Sequence, residues 1–404
     1  MPMTAVVFCM GGRGHVQRLR PIISGLAGAG VDTHVLTGLA FRADVERAGG
    51  RFIDLFAGRP LEGADRSSVP LPSRYVSFAG HYGDDVVREV ALLRPAIVVH
   101  DTFAVIGVVV AYHLGIPRVN VCAGHNQAPG PTLESLGSDP RVNLSEDCWR
   151  AVRLLRERHG MPDATPFAYI TTISRDLNLY CEPPEFLRPD EREPFQPIAF
   201  FGSLSPDEVA PDSMLPSVFG DSAHPSFRIY VSFGTAIWRY YETEALLAIE
   251  ALSTALADRH EVTAVVSLGN RGPEERARRL ARRNVRIESY VDQWSALREA
   301  SVCLTHQGLN STHEAIYHRT PMLSYPFFGD QPALSKRCQE LGLAVALASA
   351  VRQPIDSDDI HWALARVVSC RESIEARLEE ARRWELATIS ARPSVIARMV
   401  DLAR

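Results

Sequence analysis

The chain has 404 residues, which exceeds one ordinary hydrophobic core and suits two domains of about 200 residues each. Hydrophobic residues make up 46% of the chain, charged residues 23%, and the formal net charge is −5. This composition is typical of a globular protein. It argues against nucleic acid as a partner, because no run of basic residues stands out in the sequence.

The apolar runs and the cysteines indicate whether the protein is bound to a membrane, exported or cytoplasmic. The longest apolar runs, such as residues 104–110, are far shorter than the ~20 residues that span a bilayer, so we expect no stable membrane association. No charged segment precedes the first apolar run, which predicts a cytoplasmic protein without a signal peptide. The seven cysteines are scattered without a CxxC pair, and they predict reduced, mostly buried thiols.

The first half of the chain alternates between apolar runs and helical periodicity. Strands are predicted at residues 4–10, 31–36, 96–100 and 117–122, and helices at 16–26 and 107–114. This alternation predicts a doubly wound α/β domain. Two long stretches rich in Gly, Pro, Ser and Asp, residues 58–83 and 124–147, are predicted as irregular loops.

A second α/β domain is predicted after a linker at residues 206–226, where Gly and Pro recur and apolar periodicity is lost. Strands are predicted at 228–233, 262–267, 285–289 and 302–305, and a helix at 242–256. A charged helical stretch from residue 372 onward should break at Pro393. The predicted division is a first domain at 1–205, a second at 227–380 and a C-terminal helix at 381–404.

The segment from Thr305 to Glu314 carries the clearest candidate for a binding site. A buried strand is predicted to end at Thr305 and a helix to begin near Asn310, so the backbone N–H groups at the junction would attract a phosphate. Asn310 and Glu314 are four residues apart and therefore share one helical face. An ordinary capped helix is an equally good interpretation, because Ser311 and Glu314 have the spacing of a capping box.

The longer pattern around this segment resembles the donor-binding signature of the nucleotide-diphosphate-sugar glycosyltransferases, which include plant secondary-product and bacterial natural-product enzymes. The matching residues are His306, Gly308, Asn310, Ser311 and Glu314, with Asp330 and Gln331 beginning sixteen residues after the glutamate. The resemblance implies the α/β GT-B fold. This fold has two facing Rossmann-like doubly wound domains and a C-terminal helix that returns to the first domain.

The resemblance also implies roles for the matching residues. His306 would contact the diphosphate, and Asn310 and Ser311 would bind phosphate oxygens. Glu314 would accept hydrogen bonds from the ribose hydroxyls. The adjacent carboxylate and amide at residues 330 and 331 would bind hydroxyls of the sugar, since such a pair suits neighbouring hydroxyl groups.

Two other segments of the second half match the same family. Thr235 follows an apolar run and a glycine, and the matching residue in the family touches the phosphates; a plain strand end fits it as well. The segment Tyr290–Gln293 resembles the aromatic-x-Pro-Gln segment of the family, with Asp292 in place of the proline. The resemblance places the base at Tyr290 and Val291 and the ribose near Gln293.

The N-terminal turn does not fit a dinucleotide fingerprint, because its third glycine is absent and the second strand does not end in an acid. In the family, a histidine that matches His15 acts as general base on the acceptor hydroxyl, and an aspartate that matches Asp101 orients it. Asp101 could instead cap the helix that follows it.

These residues imply an inverting, metal-independent hexosyltransferase that uses no cofactor and transfers a sugar to a hydroxyl of a small-molecule, natural-product acceptor. A UDP-glucose-like donor is the first choice, because Glu314 suits paired ribose hydroxyls. The alternatives are a dTDP-deoxysugar transferase of antibiotic biosynthesis, a nucleotide-sugar epimerase, and a non-catalytic nucleotide-sugar-binding protein. The sequence leaves the acceptor and the oligomeric state open. We expect the two long loops to line the acceptor pocket through Tyr75, Phe78, His81, Tyr82, His125 and Asn126.

Overall fold

The structure is a computed structural model that describes residues 3–10, 12–61, 73–122, 124–138, 144–205, 217–220 and 227–404. The chain divides into two compact units. The first unit comprises Met1–Ser205 together with Ala387–Arg404, and the second comprises Pro206–Leu386. Apart from residues 217–220, the predicted linker at 206–226 lies outside the described residues.

A parallel sheet forms the centre of the first unit. Its described strands are β1 (Thr4–Phe8), β2 (Asp32–Thr37), β3 (Arg51–Asp54), β4 (Ile97–Asp101), β5 (Arg118–Cys122), β6 (Leu177–Tyr180) and β7 (Ile198–Phe200). They are hydrogen-bonded in the order β3-β2-β1-β4-β5-β6-β7. Every residue of β4 is buried, as expected for a parallel strand in the middle of a sheet that is covered on both faces.

The described helices of the first half are α1 (Arg13–Gly28), α2 (Arg42–Arg47), α3 (Ser73–Ala91), α4 (Val105–Leu114), α5 (Pro129–Ser138) and α6 (Glu146–Arg158). The core on one side of the sheet joins strand residues to α3, α4 and α6. Val6, Val98, Val76, Val109 and Val152, each fully buried, belong to this core.

Helices occupy part of both stretches that the sequence predicted as irregular loops. Tyr75, Phe78, His81 and Tyr82 lie on α3, and α5 occupies part of the second stretch. The loop prediction was wrong because it took the small residues of α3 as turn residues. Gly80 instead lets α3 approach α6, since a Cβ at this position would lie only 2.4 Å from the backbone oxygen of Ala151.

The second unit repeats the parallel arrangement. Its described strands are β8 (Phe227–Ser232), β9 (Val262–Ser267), β10 (Val285–Glu288), β11 (Val302–Thr305), β12 (Met322–Ser324) and β13 (Ala344–Ala346), in the order β10-β9-β8-β11-β12-β13. Its described helices are α7 (Ile237–Tyr240), α8 (Glu242–Ala255), α9 (Glu274–Arg278), α10 (Gln293–Glu299), α11 (Leu309–His318), α12 (Gln331–Glu340) and α13 (Ser357–Ser369). Both units are therefore doubly wound, as the sequence predicted.

The C-terminal segment is one continuous helix, α14 (Arg371–Leu402), and the predicted break at Pro393 is wrong. A proline inside a helix removes one backbone hydrogen bond. Packing around it within the first unit offsets that loss, because Ile396 and Met399 are buried and Arg392 donates to the backbone oxygens of Phe201 and Leu204. The last sixteen residues of α14, Ala387–Leu402, belong to the first unit.

The structure also bears on two expectations that were drawn from the composition. No helix in the described parts of the chain combines the length and the apolar character needed to cross a bilayer. The seven cysteines lie outside disulfides in the described residues, and every one except Cys370 is buried, as predicted.

We predict that Gly80→Ala lowers the stability of the protein by about 1–3 kcal/mol, the usual cost of overpacking. The added Cβ would collide with the backbone of α6, which cannot move away as a side chain can. Gly28→Ala is the matched control, because nothing lies within 4 Å of a Cβ at that position. The measurement is the urea midpoint of both variants. Equal midpoints would contradict the close approach of α3 and α6.

Candidate functional site

The topology of the first unit brings two predicted site residues to one point. Ligands of doubly wound sheets bind outside the carboxyl ends of the strands, where the strand order reverses. In this sheet the reversal lies between β1 and β4, which pair with each other. His15 lies in the first turn of α1, directly after β1, and Asp101 is the last residue of β4.

His15 and Asp101 form a hydrogen-bonded pair. His15 Nδ1 lies 2.7 Å from Asp101 Oδ2; the aspartate side chain is 2% exposed, whereas the histidine keeps 17% of its side-chain surface. Burial alone would raise the pKa of Asp101, but the charge of His15 and its hydrogen bond outweigh this effect, and the pKa lies below its ordinary value. An ionised Asp101 fixes the proton of His15 on Nδ1 and leaves Nε2 as the basic nitrogen.

Asp101 does not cap the helix that follows it. The N-cap residue of α4 is Ala104, which forms no side-chain cap. Asp101 Oδ1 instead accepts a hydrogen bond from the backbone N–H of Phe103 at 2.9 Å, in the turn before the helix. The alternative interpretation of this residue as an N-cap is therefore wrong, and both carboxylate oxygens serve to hold the turn and His15.

Three aromatic rings form a wall beside His15. The ring centroid of Phe103 lies 4.6 Å from that of His15, 5.5 Å from that of Tyr169 and 6.4 Å from that of Tyr75. We call Tyr75, Phe103 and Tyr169 the aromatic wall. Sequence analysis had proposed only Tyr75 and missed the other two, although Phe103 stands two residues after Asp101 and so close to the end of the same strand.

In the second unit, the sheet order reverses between β8 and β11. His306, the residue after β11, packs against two glycines at this point. A Cβ would lie 2.9 Å from the imidazole ring at Gly234 and 2.3 Å from it at Gly308, so larger residues would displace the ring. Burial lowers the pKa of His306 to about 4, although a hydrogen bond with the backbone of Ser232 opposes the shift. His306 is therefore neutral near pH 7.

Gln293, Ser311 and Glu314 form a second cluster, which we call the Gln293 cluster. Gln293 Nε2 donates to Glu314 Oε2 at 2.6 Å and to Ser311 Oγ at 3.1 Å. Burial raises the pKa of Glu314 to about 7, and the hydrogen bond from Gln293 partly offsets the shift. The capping-box interpretation is wrong, because the N-cap residue of α11 is Gly308 and it forms no side-chain cap.

Comparison with known proteins agrees with this geometry. Residues 191–375 match the family model of UDP-glucoronosyl and UDP-glucosyl transferase. Over the whole chain, the structure is similar to that of the glycotransferase of kitacinnamycin, with a TM-score of 0.76, 19% identity, and coverage of 98% of this chain and 99% of that one. The structure therefore has the GT-B fold of these glycosyltransferases, and the family match covers the part of the chain that carries the predicted donor residues.

Two further similar proteins are informative. A zeaxanthin glucosyltransferase from Pseudescherichia vulneris is 26% identical over 293 residues, which cover 69% of this chain and 67% of the relative. A spinosyn rhamnosyltransferase solved with thymidine diphosphate has a TM-score of 0.66 and 18% identity, and the match covers 97% of this chain and 99% of that one. The predicted α/β GT-B fold is thus confirmed, and residues 191–375 match a family model of the kind that the sequence pattern resembles.

The other predicted donor residues of the second unit differ in their exposure. Thr235 and Tyr290 are exposed, the latter by 54%. Val291 is buried, and its N–H donates to Ser267 Oγ at 3.2 Å. Asn310 is the second residue of α11.

Asp330 and Gln331, at the start of α12, differ in their burial. Asp330 is the N-cap residue of α12 and is partly exposed. Gln331 is buried, and its Oε1 accepts hydrogen bonds from the backbone N–H groups of Phe327 and Phe328 at 2.9 and 3.2 Å. One side of this amide therefore holds its own turn, and the site role expected for Gln331 stays a prediction.

The other residues predicted for the acceptor pocket make contacts within the first unit. His81 Nε2 lies 2.9 Å from Asp147 Oδ2. His125 is 3% exposed, and its Nδ1 lies 2.8 Å from Glu182 Oε2. Asn126 donates its backbone N–H to the Tyr180 hydroxyl. Phe78 is buried, and its ring contacts those of Phe56 and Tyr82.

Sequence analysis also missed Gln307, which shapes the turn between His306 and Gly308. It is fully buried and adopts a left-handed backbone with φ of +60°. Its amide donates to Thr312 Oγ1 at 3.0 Å, which anchors the turn to α11. Nothing in the sequence distinguished this position, because a left-handed glutamine leaves no pattern in the residues around it.

We predict that the ligand-free protein loses stability relative to Glu314→Gln as the pH rises from about 5 to about 8. The pKa of Glu314 is about 7 in the folded chain against an ordinary value of 4.5. Between those values the folded chain holds a proton that the unfolded chain releases, so rising pH favours unfolding. The glutamine variant lacks this titration.

Thermal unfolding of both proteins without ligand measures the effect. Glu372→Gln, at an exposed position on α14, is the control and should follow the wild type. Parallel stability curves for wild type and Glu314→Gln would show that the pKa of Glu314 is not raised.

Proposed function

We propose that the protein transfers a sugar, with inversion, from a nucleotide-diphosphate sugar to a hydroxyl of a flat, largely apolar small molecule. The observation that carries the proposal is the hydrogen bond between His15 and a buried, ionised Asp101. In the neutral tautomer that this hydrogen bond favours, the lone pair of His15 is on Nε2, beside the aromatic wall. A general base needs such a lone pair, and a small organic acceptor needs such a surface.

In the proposed reaction, His15 Nε2 takes the proton of the acceptor hydroxyl while its oxygen attacks the anomeric carbon. The bond from that carbon to the diphosphate oxygen breaks, and its electron pair leaves with the nucleoside diphosphate. A single displacement of this kind inverts the anomeric configuration. Asp101 stabilises the imidazolium that forms, as the carboxylate does in a catalytic triad.

The second unit supplies the groups that suit the donor. The N-terminus of α11 presents backbone N–H groups, which favour a diphosphate. His306 is neutral and Thr235 is a hydroxyl, so both can donate hydrogen bonds to phosphate oxygens. The Asp-x-Asp at Asp356 and Asp358 lies at the start of α13, where the Asp356 side chain caps the helix by accepting from the backbone N–H groups of Asp358 and Asp359. We therefore propose a reaction that needs neither metal nor cofactor.

The donor nucleotide is proposed from the Gln293 cluster. Ribose hydroxyls could take over the hydrogen bond that Gln293 gives to Glu314, and two hydroxyls suit a carboxylate better than one. This favours UDP, as does the match to the UDP-glucosyl transferase family model. The second candidate is a dTDP-deoxysugar donor, which is favoured by the relative that was solved with thymidine diphosphate.

The acceptor class is proposed from the aromatic wall. Phe103 is half-buried and packs against His15, with the buried rings of Tyr75 and Tyr169 on either side of it, so the surface next to His15 is an aromatic ring. Flat aromatic or polyene molecules would stack on such a surface. An epimerase would not need a histidine–aspartate pair beside an acceptor wall, and a binding protein would not need the pair at all.

We predict that His15→Asn lowers the rate of sugar transfer by about 10²–10⁴-fold, the usual contribution of a general base. UDP binding should be unchanged, because His15 lies in the first unit and the proposed donor groups in the second. His34→Asn is the matched control: its Nε2 lies 3.2 Å from Asp32 Oδ2 in the same unit, away from the reversal point of the sheet.

The assay incubates the protein with UDP and dTDP sugars and a panel of aromatic alcohols, and reads the products by mass. The anomeric configuration of the product, read by nuclear magnetic resonance, should be inverted. Full activity of His15→Asn on a weakly acidic alcohol would overturn the base assignment, and a retained configuration would overturn the single displacement.

A further inference from the structure

Three helices of the first unit bring together a group of residues that the proposed reaction does not use. Asp84 lies on α3, His113 on the last turn of α4, and His159 directly after α6. One ligand atom of each residue lies within 4.8 Å of the others. Among the described residues, no other group of three or more His, Cys, Asp or Glu side chains has this compactness.

The two imidazoles face each other directly. His113 Nε2 lies 3.0 Å from His159 Nδ1. His159 is 1% exposed, so its ring is held in place by the packing around it. A hydrogen bond with the backbone of Gly80 also acts on this ring. A neutral imidazole that donates one N–H to a backbone oxygen presents its other nitrogen as a lone pair, which is the usual state of a metal-binding histidine.

The packing of α3 against α6 builds this arrangement. A Cβ at Gly83 would lie 2.8 Å from His159 Cε1, and a Cβ at Gly80 would lie 2.4 Å from the backbone of Ala151. The two glycines therefore allow α6 to lie close to α3 and to bring its last turn beside Asp84. His113 then closes the group from α4, and it is exposed, so an ion can enter from solvent.

We propose that Asp84, His113 and His159 bind a divalent transition-metal ion, with Zn²⁺ as the first choice, and that the ion ties α3, α4 and α6 together. Two imidazole nitrogens and one carboxylate oxygen are a ligand set that Zn²⁺ accepts, with water in the fourth position. Zn–N bonds of about 2.0–2.1 Å in a tetrahedral site place two nitrogens about 3.4 Å apart. This is close to the 3.0 Å that separates His113 Nε2 from His159 Nδ1.

Nearby charges are compatible with the site. Arg158 donates to Asp84 Oδ2 at 2.7 Å, which leaves the other carboxylate oxygen for an ion. The proposed metal site is also distant from His15, the proposed general base. Eight residues of α4 separate its start, next to Asp101 and Phe103, from His113, which corresponds to about 12 Å along the helix. The ion is therefore structural and takes no part in sugar transfer.

The test titrates chelator-treated protein with Zn²⁺ alone and follows heat and melting temperature; Co²⁺ then replaces Zn²⁺ so that its visible absorption reports the ligand geometry. Wild type should bind one equivalent and gain thermal stability. His113→Ala should bind at least tenfold more weakly, and its exposed position keeps the fold intact. Asp84→Asn should weaken binding while retaining the histidine pair.

His34→Ala is the control, because it removes a histidine that has a carboxylate partner but no second imidazole bonded to it. It should bind Zn²⁺ as the wild type does. The proposal is overturned if the wild type gains no stability with Zn²⁺, or if His113→Ala binds as tightly as the wild type; the two rings then form only a hydrogen bond to each other. Chelation should leave sugar transfer unchanged, so this outcome is independent of the proposed function.

Discussion

The parallel direction of the strands is the constraint on which the rest of the structure depends. In each unit the described strands all run the same way, so their carboxyl ends lie along one edge of the sheet. The strand order reverses once in each sheet, between β1 and β4 and between β8 and β11. Loops leaving the two strands at such a point diverge, and the space between them is open to a ligand. His15 and Asp101 lie at the first reversal, and His306 at the second.

Burial at these edges then sets the charge of each group. Asp101 is held ionised by His15 despite its burial, whereas Glu314, whose nearest hydrogen-bond donor is a neutral amide, has a raised pKa. His306 is kept neutral. The carboxylate of Asp101 therefore stays charged beside His15, which is proposed to take up a proton. Glu314 and His306, whose pKa values are shifted by burial, lie where hydroxyls and phosphates are proposed to bind. A buried hydrogen bond between His313 of α11 and Glu385 of α14 anchors α11.

Much of this could be predicted from the sequence, because periodicity and turn residues reflect local preferences. The strands β1, β4, β9 and β11 came within two residues of their observed ends, and the resemblance to the family implied the His15–Asp101 contact. The errors arose where tertiary packing decides. The glycines in α3 allow close helix packing and do not form turns. Pro393 is tolerated because residues before and after it, Arg392 and Ile396, contact the first unit. Tyr169 was missed because only the folded chain brings it beside Phe103, and Gln307 was missed because its left-handed backbone leaves no pattern in the sequence.

The central claim is that Glu314 in the second unit receives the ribose of a UDP-sugar. Equilibrium binding of UDP and 2′-deoxy-UDP to the wild type and to Glu314→Ala tests it most directly. The wild type should bind UDP about tenfold more tightly than the deoxy compound, because a hydrogen bond to a charged group is lost, and Glu314→Ala should bind the two alike. Equal affinities in the wild type, or a preference for UDP that survives in Glu314→Ala, would contradict the account.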